Sequence, residues 1–177
     1  MNGASRALLV LAALGALLLG VLLGQQRFGA ESGAGGGMRP DWALPDLSGT
    51  LREAAEFDGR WQLVNFWATW CPPCVREIPL LIATQARYDS AQLQILGPAL
   101  DQIELAQAYA ERAGINYPVL LSDTGVTRWM DALGDTRGAL PFSVLIDPQG
   151  QIVARHWGEL SEADLEQWLA QVPAATD

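Results

Sequence analysis

Leu63-Val64-Asn65-Phe66-Trp67-Ala68-Thr69-Trp70-Cys71-Pro72-Pro73-Cys74 joins an apolar run to a close pair of cysteines. Its first half is a near-continuous apolar run, the pattern of a central strand buried on both faces. Its second half holds the only two cysteines of the chain, three positions apart. Pro72 then opens a helix, where a missing N–H costs nothing, and Val75, Ile78, Leu81 and Ile82 follow at helical spacing. Pro79 falls inside that helix and is expected to kink it.

A lone C-x-x-C has several meanings, and the surrounding residues separate them. Structural zinc needs four ligands, but the chain has no third Cys and a single distant His, His156. Covalent haem attachment needs His directly after the second Cys, where this chain has Val75. Two cysteines in one motif do not make a disulfide framework for a small secreted domain. The pair is therefore expected to serve thiol–disulfide chemistry, with no cofactor.

Reading outward, Pro40 to Leu47 suggests a short edge strand and turn, because two prolines are tolerated only at an edge. Leu93 to Leu100 is a second buried strand, followed by a helix that Asp101 and Glu104 would start as a capping box and Gly114 would stop. Tyr117 to Leu121 reads as a short strand and Gly125 to Leu133 as a short helix. Phe142 to Asp147, the turn Pro148-Gln149-Gly150 and Gln151 to Trp157 form a hairpin. A last helix starts at a Ser161 cap with Asp164 at its third position. The order predicts an α/β fold: a central mixed sheet with helices on both faces.

The amino-terminal segment bears on the compartment. Ala7 to Gly24 is an uncharged run of about 18 Leu, Ala, Val and Gly residues between Arg6 and Arg27, short for a spanning helix and long for a signal core. An uncleaved anchor is favoured over a cleaved signal, since the nearest cleavage positions put Leu22 or Phe28 where a small residue is needed; a buried soluble helix is a third reading. The expected organisation is a membrane helix over 1–24, a flexible Gly-rich tether over 25–37 and a globular domain over 38–177. Net charge is −9, and the eleven basic residues, all Arg, form no run, which argues against nucleic acid as a partner.

With these residues in place, the chain resembles the thioredoxin superfamily, and within it the membrane-tethered TlpA/ResA-like thiol-disulfide oxidoreductases. The resemblance rests on the quoted strand and Trp70-Cys71-Pro72-Pro73-Cys74, on Glu77 and Pro79, and on Gly138-Ala139-Leu140-Pro141 ahead of Phe142-Ser143-Val144-Leu145-Ile146-Asp147. It implies a thioredoxin-like fold in which Cys71, at a helix start, is the nucleophile with a lowered pKa, and Cys74 is the resolving thiol. Pro141 matches the family's cis-proline, beside which the Leu140 backbone would pair with an extended substrate segment. Trp70, Pro72 and Pro73 would shape the surface that meets the substrate. Cytoplasmic thioredoxins carry a buried Asp where this chain has Asn65. Glu77, one turn after Cys74, either replaces it as proton acceptor or is a solvated helix residue; both readings stand. His156 reads as structural or exposed, and Trp42, Trp61, Trp129 and Trp168 as packing residues.

The resemblance also implies a direction of electron flow and a place. A single-pass protein of the bacterial inner membrane, with its catalytic domain in the periplasm, would reduce disulfides in protein substrates, apocytochrome c among them, and draw electrons from a transmembrane thiol donor. Pro72-Pro73 lacks the His that strong oxidants often carry between their cysteines. A disulfide oxidase or isomerase remains an alternative, as does a non-catalytic dithiol carrying Cu(I). A peroxidatic role lacks the Pro-x-x-x-Thr-x-x-Cys setting of peroxiredoxins.

Overall fold

The computed structural model describes residues 33–34, 36–122 and 124–173, all within one compact unit, Ser32–Asp177. The expected membrane helix over 1–24 and most of the expected tether lie outside them. Among the described residues no helix is long and apolar enough to cross a membrane.

Six strands form the main sheet: β1 (Gly33–Ala34), β4 (Trp61–Phe66), β5 (Leu93–Ala99), β6 (Val119–Leu121), β7 (Phe142–Ile146) and β8 (Ile152–Trp157). Their order is β1-β8-β7-β4-β5-β6. β4, β5 and β6 run parallel, as helical crossovers require, whereas β7 is antiparallel to β4 and β8 to β7. The sheet is mixed, as the sequence predicts. Among the described residues four helices accompany it: α1 (Pro72–Arg87), α2 (Ile103–Ala113), α3 (Gly125–Ala132) and α4 (Glu162–Leu169). A second, two-stranded sheet pairs β2 (Ala43–Pro45) with β3 (Leu51–Glu53), followed by a 3-10 turn over Ala54–Phe57. Asp46, just after β2, bridges to Leu120 and so attaches this hairpin beside β6.

Strand alternation assigns the core to two faces. Val64 and Phe66 of β4, with Phe142, Val144 and Ile146 of β7, pack with Val126, Trp129 and Met130 of α3 and with Trp42 and Phe57. Leu63 and Leu145 point the other way, to Leu81 of α1 and Leu165, Trp168 and Leu169 of α4. Trp67, Cys71, Cys74 and Ile78 join Ala106 and Ala110 of α2 in a third cluster around the start of α1. Trp42, Trp129 and Trp168 are buried packing residues, as expected.

Several boundaries follow from local chemistry. Ser161 and Asp164 form a reciprocal capping box at α4, and Gly114 ends α2 in a left-handed conformation with φ of 69°. α1 continues through Pro79 to Arg87.

The expected Asp101–Glu104 capping box is not formed. The N-cap of α2 is Gln102, without a side-chain cap, because the Asp101 carboxylate is engaged elsewhere: its Oδ2 accepts from the Thr69 backbone N–H at 2.7 Å and hydroxyl at 2.6 Å. A tertiary bond to the loop ahead of Cys71 has displaced a local cap. Within the segment read as a tether, Gly33–Ala34 pairs with Ala154 and Arg155, and the Gly36 N–H donates to the Ile152 carbonyl at 2.9 Å. Ordered pairing with β8 thus begins ahead of Met38.

Candidate active site

β4 delivers the chain to the edge of the site. Trp67 continues its direction, with its N–H donating to the Pro98 carbonyl at 3.1 Å, and Thr69 is tied to Asp101 as described. Cys71 is the N-cap of α1, in an extended conformation with φ of −98°, and Pro72 and Pro73 occupy the first helical positions. The Cys74 N–H donates to Cys71 Sγ at 3.3 Å. This is the arrangement that stabilises negative charge on a sulfur, since the first N–H groups of a helix have no partners within it. Cys71 and Cys74 are joined in a disulfide, with Cα atoms 5.3 Å apart. Cys74 is fully enclosed, and Cys71 keeps only a sliver of exposure.

Pro141 follows a cis peptide bond from Leu140, in the form the resemblance implied. Leu140 is half-buried and packs against the cluster that contains Cys71 and Cys74. The Gly158 N–H holds the Pro141 carbonyl at 2.9 Å. On the other flank Trp70 is 65% exposed, with its indole N–H 3.3 Å from the Leu100 carbonyl. It borders a groove of about 470 Å³ that is also lined by Leu100, Asp101, Gln102 and Leu105. Pro72 is exposed and Pro73 half-buried at the helix start.

Glu77 is the least expected part of the site. It is 2% exposed, which removes the solvated-residue reading. One helical turn separates it from Cys74, placing both on the face of α1 that looks onto the sheet. Glu77 Oε1 accepts from Asn65 Nδ2 at 2.7 Å and Oε2 from the Leu160 N–H at 2.6 Å. Burial pushes its pKa up from 4.5 to about 7; the Leu160 and Asn65 bonds pull it down but do not offset the burial. With the disulfide closed, this carboxyl can therefore hold or release a proton near neutral pH.

Asn65 belongs to a larger polar row. It pairs across the sheet with Ser143 of β7, and Ser143 pairs with His156 of β8. Asn65 Nδ2 also donates to Ser143 Oγ at 2.9 Å, and His156 Nε2 lies 3.2 Å from the Glu159 carbonyl. All three side chains are buried. Ser143 carries a signal in the sequence: Asn65 and Ser143 are each the single polar residue in the apolar runs Leu63 to Phe66 and Phe142 to Ile146. Only the register of β4 and β7 shows that the two interruptions face each other. His156 is buried structure rather than surface. Among the described residues no three His, Cys, Asp or Glu side chains are grouped to hold a metal ion.

A strand leading through C-x-x-C into a helix, with a cis-proline segment packed against the cluster that holds the disulfide, defines the class of thioredoxin-like thiol-disulfide oxidoreductases. The chain belongs to the AhpC/TSA family, whose model matches residues 36–155. It is 32% identical over 130 residues to the thiol-disulfide oxidoreductase ResA of Halalkalibacterium halodurans, covering 73% of this chain and 72% of that protein. It is 30% identical over 138 residues to ResA of Geobacillus thermodenitrificans, covering 77% of each. A crystal structure of a thiol:disulfide interchange protein of the thioredoxin family from Chlorobium tepidum is similar with a TM-score of 0.70 and 28% identity, over 79% of this chain and 98% of that one. The molecule is a protein thiol-disulfide oxidoreductase of the ResA type, with Cys71 and Cys74 as its cysteine pair.

Proposed function

We propose that this protein is an extracytoplasmic reductase of protein disulfides, held to the bacterial inner membrane by its amino-terminal apolar segment. Cys71 attacks one sulfur of a substrate disulfide, whose other sulfur leaves as a thiol. Cys74 then attacks Cys71, releases the second substrate sulfur and closes the Cys71–Cys74 disulfide. The substrate gains two electrons, which a transmembrane thiol donor returns to the pair. Glu77 accepts the proton of Cys74 in the second step. The backbone of Leu140, beside Pro141, pairs with an extended segment of the substrate, and Trp70 adds apolar contact. Apocytochrome c, whose haem-binding cysteines must be reduced before haem attachment, is a fitting substrate.

The observation that carries this reading is Glu77, a buried carboxyl with a pKa near 7 placed one turn behind the resolving cysteine. The direction is supported by Pro72-Pro73, which puts no ionisable side chain between the cysteines to over-stabilise the thiolate. Location is supported by the run from Ala7 to Gly24.

The reduction potential of the Cys71/Cys74 pair tests the direction. Equilibration with glutathione or dithiothreitol couples is expected to give a value near that of thioredoxin, about −270 mV. A value near −120 mV, that of a strong oxidant, overturns the reductase in favour of the oxidase.

Pro141→Ala tests the substrate contact. It is expected to raise KM for reduction of insulin disulfides about tenfold, because the buried Pro141 ring that holds the adjoining Leu140 backbone in place is lost. Unchanged kinetics in a folded variant would remove the Leu140–Pro141 segment from substrate binding.

A further inference from the structure

The loop that carries Leu140 is held by the buried carboxylate of Asp135. Asp135 is 8% exposed, whereas Thr136, Arg137, Gly138 and Ala139 are exposed. Asp135 Oδ1 accepts from the Arg137 N–H at 3.0 Å and from the Trp157 indole N–H at 2.9 Å; Oδ2 accepts from the Gly138 N–H at 2.8 Å. Gly138 has φ of +60°, so the loop turns where a glycine is favoured. Trp157 is itself fixed, with its ring 5.3 Å from that of Phe142 and the Arg137 guanidinium 4.8 Å over its face. Phe142 directly follows Pro141 and is the register partner of Trp157.

One of these bonds ties the loop to Trp157, which packs against the core; the other two order the exposed residues Arg137 and Gly138. Ordering those two exposed residues costs conformational entropy. What they gain is a loop whose shape is already set before a partner arrives. A segment fixed in advance loses less freedom on binding, so affinity rises without any added contact.

We propose that Asp135 is a positioning residue for substrate: bonded to Trp157 on one side and to the Arg137 and Gly138 N–H groups on the other, it presets the loop that presents the Leu140 backbone. This rests on the reading that the Leu140–Pro141 backbone meets the substrate. Two consequences follow. Loss of Asp135 weakens recognition of a polypeptide disulfide, which needs the extended backbone pairing. It leaves exchange with a small disulfide unaffected, since that needs only Cys71 and Cys74.

The experiment compares Asp135→Asn with the unmodified protein, using insulin as the polypeptide disulfide and 5,5′-dithiobis(2-nitrobenzoate) as the small one. In the amide, an NH₂ group replaces an acceptor that faces N–H donors. KM for insulin is expected to rise about tenfold with kcat within twofold, while the rate with the small disulfide stays within twofold. A folded variant that handles insulin normally, or loses both activities together, overturns the proposal. Should Asp135→Asn not fold, Trp157→Phe decides: it keeps a ring against Phe142 but removes the indole donor, and a rise of about threefold in KM for insulin alone is expected. Equal or absent effects on the two substrates then overturn the proposal. Pro141→Ala separates the two levels. If it raises KM for insulin and Asp135→Asn does not, only the role of Asp135 fails; if Pro141→Ala changes nothing, the substrate contact itself fails.

Discussion

Cys71→Ser is expected to reduce turnover of insulin disulfides by more than about 10³-fold, to the level of the uncatalysed reductant. Only a thiolate attacks a disulfide at a useful rate near neutral pH, and Cys71 is the thiol that the fold equips to become one. It is the N-cap of α1, its sulfur accepts the Cys74 N–H, and no side chain of the first turn carries a negative charge to oppose ionisation. Cys74→Ser separates the two half-reactions. Attack by Cys71 still breaks the substrate disulfide, but nothing remains to displace the substrate, so a stable mixed disulfide should accumulate. Mass spectrometry under non-reducing conditions reads the covalent adduct directly. If Cys71→Ser instead traps the substrate and Cys74→Ser does not, the roles of the two cysteines are reversed.

Glu77→Gln is expected to change both kinetics and stability, with different dependence on pH. Removing a proton acceptor of this kind slows the resolving step by about 10²-fold at neutral pH, read as decay of the mixed disulfide in a single turnover. The stability effect follows from linkage. The Glu77 pKa is raised on folding from 4.5 to about 7, so across that window the folded protein holds a proton that the unfolded chain has released. Stability therefore falls as pH rises through the window, and the loss is complete above about pH 7. A shift of this size corresponds to about 3 kcal/mol in the oxidised protein. Asp46, Glu56 and Asp164, whose pKa values are lowered, act with the opposite sign at more acid pH. They are present in both proteins and cancel in the difference. Urea unfolding from pH 4.5 to 8 should show this decline in the unmodified protein and a flat contribution in Glu77→Gln. Parallel curves would mean that the side chain is ionised throughout, as a solvated glutamate is.

The pattern of legibility along the chain has a physical basis. β4, β5 and the β7–β8 hairpin were readable because an apolar run bounded by turn residues needs no knowledge of its neighbours. The cap at Ser161 was readable for the same reason, since Ser161 and Asp164 satisfy each other within four residues. Asp101 offered the same local pattern and failed, because Thr69, distant in sequence and close in space, competes for its carboxylate. The β2–β3 sheet and its 3-10 turn are only partly legible, being short pieces whose attachments are all tertiary, through the bridge from Asp46 to Leu120 and the packing of Trp42 and Phe57 in the core.

The same division runs through the site. Trp70-Cys71-Pro72-Pro73-Cys74 stated its chemistry in the sequence alone: too few ligands for zinc and no His for haem left exchange between two thiols, and Pro72 placed the first of them at a helix start. Glu77 remained undecided there, since a carboxylate three positions after a cysteine looks the same whether water or protein surrounds it. The folded structure removes the solvated reading by burying the side chain between Asn65 and the backbone of Leu160, residues far from it in the chain. Asp135 is similar in part: its bonds to the Arg137 and Gly138 N–H groups are local, but the Trp157 indole, 22 residues on, reaches its carboxylate only in the folded structure. Sequence thus determines which groups can react, a property of residue types and near-neighbour spacing. The folded structure determines their proton affinity and their aim, because both depend on burial and on contacts between distant segments.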